Sequence, residues 1–196
     1  MQYNSSYGVI DLTQDGLFEV RPTADKQLKN EFSSHRMASV YLVEATAQHR
    51  DEAALAFVRA LRRNSASVVV VTDKRTVYAD TGATVYDVAS GIKRIVSIGE
   101  EMEERYLALL DSGYYNAADY NNSRPNVPMN PVYVVLDAID EFSARLGVAM
   151  NPLIQIARKG RAAGIYVIAC GVGEAKTDFE EVLYSNCFLH LVNSGE

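Results

Sequence analysis

No window of this chain approaches the ~18 apolar residues that a membrane-crossing helix needs. The opening MQYNSSYG has neither the basic start nor the apolar centre of a signal peptide. Cysteine occurs only at Cys170 and Cys187, without metal-ligand spacing. Cys170 falls inside the apolar run IYVIAC, where a small buried thiol is expected rather than a disulfide. The histidines, His35, His49 and His190, stand in three separate segments, so no metal site is expected. A basic excess is missing as well, because 19 Lys and Arg against 25 Asp and Glu leave a net charge of −6. Phosphate-backbone binding needs a cationic footprint, so this balance argues against a general nucleic-acid binder.

What remains is the profile of a globular domain: 196 residues, 48% hydrophobic and 22% charged. The chain is organised around residues 132–142, VYVVLDAIDEF. Five strand-forming apolar residues run unbroken into an acidic tip. Continuous apolar runs mark strands buried on both faces, which belong to parallel sheets. A carboxylate at the C-terminal end of such a strand, here Asp137, stands where open α/β sheets place ligands.

Further buried strands are expected at residues 39–43, 67–71, 165–170 and 188–192. Helices are expected at 51–63, 97–110, 152–161 and 178–183. The first has acids at its start and arginines at its end, and Ala54, Leu55, Val58 and Leu61 on its apolar face. The second carries Met102, Tyr106 and Leu109 on one stripe. Pro152 is expected to open the third helix and Gly164 to end it. Residues 44–49 read as an exit loop and 77–87 as a small hairpin or loop around Thr81-Gly82. Residues 111–130, rich in Asn and Tyr, read as a surface loop with one helical turn. Before the core, residues 8–12 and 17–20 flank an Asp15-Gly16 turn, a hairpin signal. Residues 26–34 are polar and read as a short helix or loop. Strands alternating with helices imply an α/β fold with a mostly parallel central sheet flanked by helices. The expected organisation is one domain, 1–196, with an extension at 1–38 and a core at 39–196. The uncapped start and the strand-like run leading directly into LVNSGE suggest a domain excised from a longer chain.

VYVVLDAIDEF followed by IARKGRAAGIYVIACG resembles the Walker B strand, and the helix and strand after it, of the FtsK/SpoIIIE-type motor ATPases. The RAAGI step into a buried strand is the most specific part, and the order of elements matches over residues 39–192. The extended opening piece GVIDLTQDGLFEV resembles one branch more closely. This is the FtsK-like ATPase of type VII secretion, the EssC/EccC family, at its C-terminal, third ATPase-like domain. The resemblance implies a RecA-like P-loop NTPase fold with degenerate motifs. It also implies a cytoplasmic domain of a protein anchored in the cell membrane, although no transmembrane segment lies in this chain.

That family would carry a Gly-rich loop ending in Gly-Lys-Ser/Thr between the first strand and first helix. The matching residues 44–51 are EATAQHRD, including Glu44, Thr46 and His49. They contain no glycine through which backbone N–H groups could approach a triphosphate. Arg50 falls at the lysine position and Asp51 at the magnesium-bound hydroxyl. Ala138 stands where a glutamate would orient water. Asp137 is left with two readings, a cation ligand or a strand-end residue that caps a neighbouring loop. Glu141 lies where the family carries a second acid and is a candidate partner for the basic RKGR segment. No cofactor is expected: ATP and magnesium are implied by the resemblance and disfavoured by the lost motifs.

Arg158 and Arg161 either reach a neighbouring subunit's nucleotide or form a solvated helix end. Tyr114, Tyr115 and Tyr120 are either interface anchors or simple loop packing. The resemblance implies a domain that recognises secreted protein substrates or regulates its motor instead of hydrolysing ATP. Its partners would be those substrates, the other ATPase domains of the same chain and, in the full-length protein, further copies in a ring. A weak or ring-dependent ATPase is the alternative, and a DNA translocase a more distant one.

Overall fold

The computed structural model describes residues 2–5, 8–11, 19–21, 39–63 and 66–192. Three short strands come first, β1 (Gln2–Ser5), β2 (Gly8–Asp11) and β3 (Glu19–Arg21). The core follows as β4 (Val40–Glu44), α1 (Ala47–Arg63), β5 (Ser67–Val71), β6 (Thr84–Tyr86) and α2 (Val88–Asp111). It continues through α3 (Ala117–Ser123), β7 (Val132–Leu136), α4 (Ile139–Phe142), α5 (Met150–Ala163), β8 (Ile165–Val172), α6 (Asp178–Asn186) and β9 (Leu189–Val192).

The sheet runs β3-β2-β1-β9-β4-β8-β7-β5-β6. From β9 to β6 every pairing is parallel, and β1, β2 and β3 add an antiparallel edge. The expected strands at the centre are buried throughout because helices cover both faces. Val68, Val70, Tyr133, Val135, Tyr166 and Ile168 point to one face, under Ala53, Ala54, Phe57, Val58 and Leu61 of α1. Val69, Val71, Val134, Leu136, Val167 and Ala169 point to the other, under α2, α5 and α6. Each strand therefore alternates between two apolar layers, and its sequence shows no polar face.

Several expected boundaries move. Helix α1 begins at Ala47, so the expected exit loop shrinks to Ala45 and Thr46. The Thr46 hydroxyl accepts the backbone N–H of His49 at 3.2 Å and caps that first turn. Helix α2 begins nine residues early, at Val88, capped by the Asp87 carboxylate on the Ser90 N–H. Residues 77–87 form no hairpin. A 3₁₀ turn, Arg75–Tyr78, buries the Tyr78 ring, and β6 then runs parallel beside β5. Pro152 is the third residue of α5, not the first, still within the turn whose N–H groups have no helical partner. Gly164 ends α5 in the left-handed region with φ 71°, which glycine adopts without strain. Residues 111–130 include α3, capped by Asn116. Strands β2 and β3 pair antiparallel, Ile10 opposite Val20, while the expected Asp15-Gly16 turn and residues 26–34 lie outside the described residues. Among the described residues no helix is long and apolar enough to cross a membrane.

Candidate functional site at the carboxyl ends of the strands

The register of β5 on β7 sets Val71 opposite Leu136, so the next residues, Thr72 and Asp137, leave the sheet side by side. Thr72 Oγ1 donates to Asp137 Oδ2 at 2.6 Å and accepts the Lys74 backbone N–H at 2.7 Å. The Tyr78 hydroxyl adds a second donor to Oδ2 at 3.1 Å. Asp137 Oδ1 is buried without a hydrogen-bond partner. Burial pushes this carboxyl up to about 6, against the pull of the Thr72 and Tyr78 hydrogen bonds. Because its folded value lies above that of an ordinary aspartate, Asp137 favours the folded state at low pH. That contribution fades as pH rises from about 4 through 6. Asp137→Asn should therefore gain stability relative to wild type across this window, on the order of 2 kcal/mol by pH 7. Urea unfolding at pH 4 and pH 7 measures the difference, and a pH-independent gap would contradict it.

Beside this pair lies a charged cluster built from three segments. Arg50, in the first turn of α1, is fully buried. Its Nη1 donates to Asp140 Oδ1 at 2.9 Å, and its Nη2 to Asp51 Oδ1 at 2.8 Å and Glu141 Oε1 at 2.6 Å. Lys74 Nζ reaches Asp51 Oδ2 at 2.6 Å, and Lys176 Nζ stands 3.6 Å from Asp140 Oδ2. Arg50, Lys74 and Lys176 thus balance Asp51, Asp140 and Glu141. Burial alone would lower the Arg50 guanidinium, but the bonds to Asp51 and Glu141 and the charge of Asp140 hold it above its ordinary value. Burial likewise raises the Asp51 carboxyl, and the Lys74 and Arg50 hydrogen bonds outweigh it and hold it below the ordinary range. A cation in the first turn opposes the helix dipole, so Arg50 depends on these acids for its place.

Of the residues marked in the sequence, Arg50, Asp51 and Glu141 come together here, and Asp137 lies alongside. Glu44 ends β4 in a buried position. Ala138 is the cap residue of α4 and makes no side-chain cap bond. Glu141 pairs with Arg50 and not with the RKGR segment, because α4 leaves the sheet at the end opposite that segment. Arg158 and Arg161 occupy the last turns of α5, which leads into β8 at the other edge of the sheet. Eight residues of β8 separate the two ends, ~26 Å at 3.3 Å per residue. Tyr114 and Tyr120 pack edge to face at 5.5 Å with Arg124 over both rings, while Tyr115 is 86% exposed. His49 is exposed, and His190 stacks on Tyr184, its ring centroid 3.8 Å away. Among the described residues no group of three metal-ligating side chains is placed to hold an ion.

Sequence reasoning did not mark Thr72, Lys74, Tyr78 or Asp140 as site residues. Three of them follow β5 immediately or within one turn, so the signal available was their position after a buried strand.

A six-stranded parallel sheet with helices on both faces, and an acidic strand end beside the β4–α1 connection, define a RecA-like α/β fold of the P-loop NTPase class. In that class the connection cradles phosphate through successive backbone N–H groups. Ala45 and Thr46 alone connect β4 to α1, with Arg50 buried just beyond, and these residues do not fit such a cradle. Solved structures share the fold. One is EssC (ATPases 2 and 3) from Geobacillus thermodenitrificans, TM-score 0.64 at 17% identity, covering 82% of this chain and 33% of that one. The pCW3 conjugation coupling protein TcpA, solved with ATPγS, gives 0.63 at 18% identity, covering 82% and 50%. Thermomonospora curvata EccC (ATPases 2 and 3), in complex with a signal sequence peptide, gives 0.56 at 12% identity, covering 74% and 30%. This chain spans a third to a half of the length of the first two. No protein-family profile and no curated protein matches it.

Proposed function

We propose that this chain is an ATPase-like domain of a type VII secretion motor, corresponding to its C-terminal, third such domain. In this reading it recognises secreted substrates or regulates the motor and does not hydrolyse ATP. The observation that carries the reading is Arg50. Its buried guanidinium, bonded to Asp51, Asp140 and Glu141, stands where the fold otherwise admits a polyphosphate. A nucleotide there would add negative charge beside three carboxylates and would have to break charge-assisted bonds to do so. Ala138 supports the same reading, since it offers no group to orient water. The fold shared with EssC and EccC, one of them solved with a signal sequence peptide, supports the assignment to a secretion motor. Substrate proteins, the other ATPase domains of the full-length chain and a ring of copies at the membrane are the partners this reading implies.

Isothermal titration with Mg-ATP is expected to give no binding heat up to millimolar nucleotide. Micromolar binding would overturn the inert-site reading. Exposing the immobilised domain to the secreted proteins of its own system is expected to retain at least one of them. The buried, unpartnered Oδ1 of Asp137 favours one alternative, a weak ring-dependent ATPase that keeps a cation ligand at this position. Turnover abolished by Asp137→Ala or Arg50→Ala would favour it.

A further inference from the structure

The end of the sheet opposite Arg50 is the less polar one. Five of the nine large apolar side chains exposed among the described residues belong to its elements: Leu107, Leu110, Tyr115, Val127 and Phe188. They are tied into one surface by short links. The Tyr114 N–H donates to Leu109 O at 2.9 Å, and the Val127 N–H to Arg124 O at 3.1 Å. Arg105 Nη1 donates at 3.0 Å to both Asn130 O and Ala163 O, joining α2 to the end of α5. Arg161 lies over the Phe188 ring at 5.9 Å. From β7 to β9 is three strand spacings, ~14 Å. One exposed flank carries Glu104, Asp111 and Asp119, and the other carries Arg158 and Arg161, with Arg124 over the tyrosines between them. Glu103 is already paired with Lys159, and Asp119 accepts from Asn116.

From this arrangement we infer that the surface docks an amphipathic helix of another protein, with an apolar stripe between one acidic and one basic flank. A helix is the occupant because only helix ends and loops lie here. A strand would find no sheet edge, whereas a helix satisfies its own backbone and binds through side chains. A helix of ~20 residues, ~30 Å long, would cover the patch. Its acidic flank would face Arg158 and Arg161, and its basic flank Glu104 and Asp111. The inference rests on reading the domain as a recognition module but not on the state of the Arg50 site.

The test uses the whole 196-residue chain and a fluorescein-labelled 20-residue helix with a leucine stripe, a glutamate flank and a lysine flank. Fluorescence anisotropy should show saturable binding, with amide shifts in a ¹⁵N spectrum at residues 107–127 and 158–161. Helices with the same stripe and two lysine flanks, or two glutamate flanks, should bind about tenfold more weakly. Tyr115→Ser and Arg161→Glu should each weaken binding about tenfold while leaving the thermal midpoint unchanged, since both side chains are exposed. Equal binding of all three helices, variants that bind like wild type, or shifts confined to residues 44–51 would each overturn it. Micromolar Mg-ATP binding in the separate titration would refute the proposed function and leave this result standing.

Discussion

Replacing Gly160 with alanine is expected to lower the unfolding free energy by about 3 kcal/mol, and Gly160→Val to leave no cooperatively folded protein. A Cβ built on Gly160 would lie 2.3 Å from the Ile165 carbonyl oxygen and 3.1 Å from Ile156 Cγ2. The nearer atom is backbone of the central strand β8, so no side-chain rotation relieves the clash. Either α5 lifts from the sheet, opening the layer under Ile156 and Leu153, or the strand bends. At ~2–4 °C per kcal/mol for a domain of this size, the thermal midpoint should fall by roughly 6–12 °C. Gly113→Ala is the control. Its φ of 76° strains any L side chain, but nothing lies within 4 Å, so about 1 kcal/mol is expected. Circular dichroism melting curves compare the two, and equal losses would show that the α5–β8 contact is not tight.

Arg50→Ala should destabilise the fold by about 3 kcal/mol near neutral pH. Removing one member of a buried ion cluster leaves its partners uncompensated, a loss of about 3–5 kcal/mol when the partners are fully buried. Here only Asp140 is nearly buried, at 9% exposure. Asp51 and Glu141 are 31% and 45% exposed, and water relieves part of their repulsion. The pH dependence identifies the cause. In the wild type the Asp51 carboxyl is held below its ordinary range, so its contribution is complete above ~4 and is lost as pH falls through the folded value. In the variant the three carboxylates repel one another until they protonate. The stability gap should therefore narrow steadily from pH 7 to pH 3. A gap that stays constant would mean that Arg50 acts through packing and not through charge. Arg50→Lys should recover only part of the loss, because one ammonium cannot serve three carboxylates arranged around a planar fork.

The parallel core was legible because a strand covered on both faces needs apolar residues at every position, and VYVVL, SVVVV and IYVIAC have them. Gly164 was legible as a helix end because the left-handed residue it supplies follows from local backbone geometry. The first turns of α2 were not. Ser90 and Gly91 read as breakers, yet Gly91 is selected by packing: a Cβ there would lie 2.7 Å from Val71 of β5. Strand β6 was hidden for a related reason, since three residues carry almost no periodicity and the parallel partner β5 decides their conformation.

The same division runs through the site. From the sequence alone follow the buried strand ending in Asp137, the missing glycines before α1 and the alanine at 138. These concern composition at fixed positions along the chain. What Arg50 does could not follow, because its partners Asp140 and Glu141 lie about ninety residues away, and their approach depends on how α1 and α4 leave neighbouring regions of the sheet. Pairing between charges falls off over a few ångströms, and sequence distance says nothing of that separation. The sequence marked an emptied phosphate loop; the tertiary structure filled it with an arginine and chose the acids that hold it.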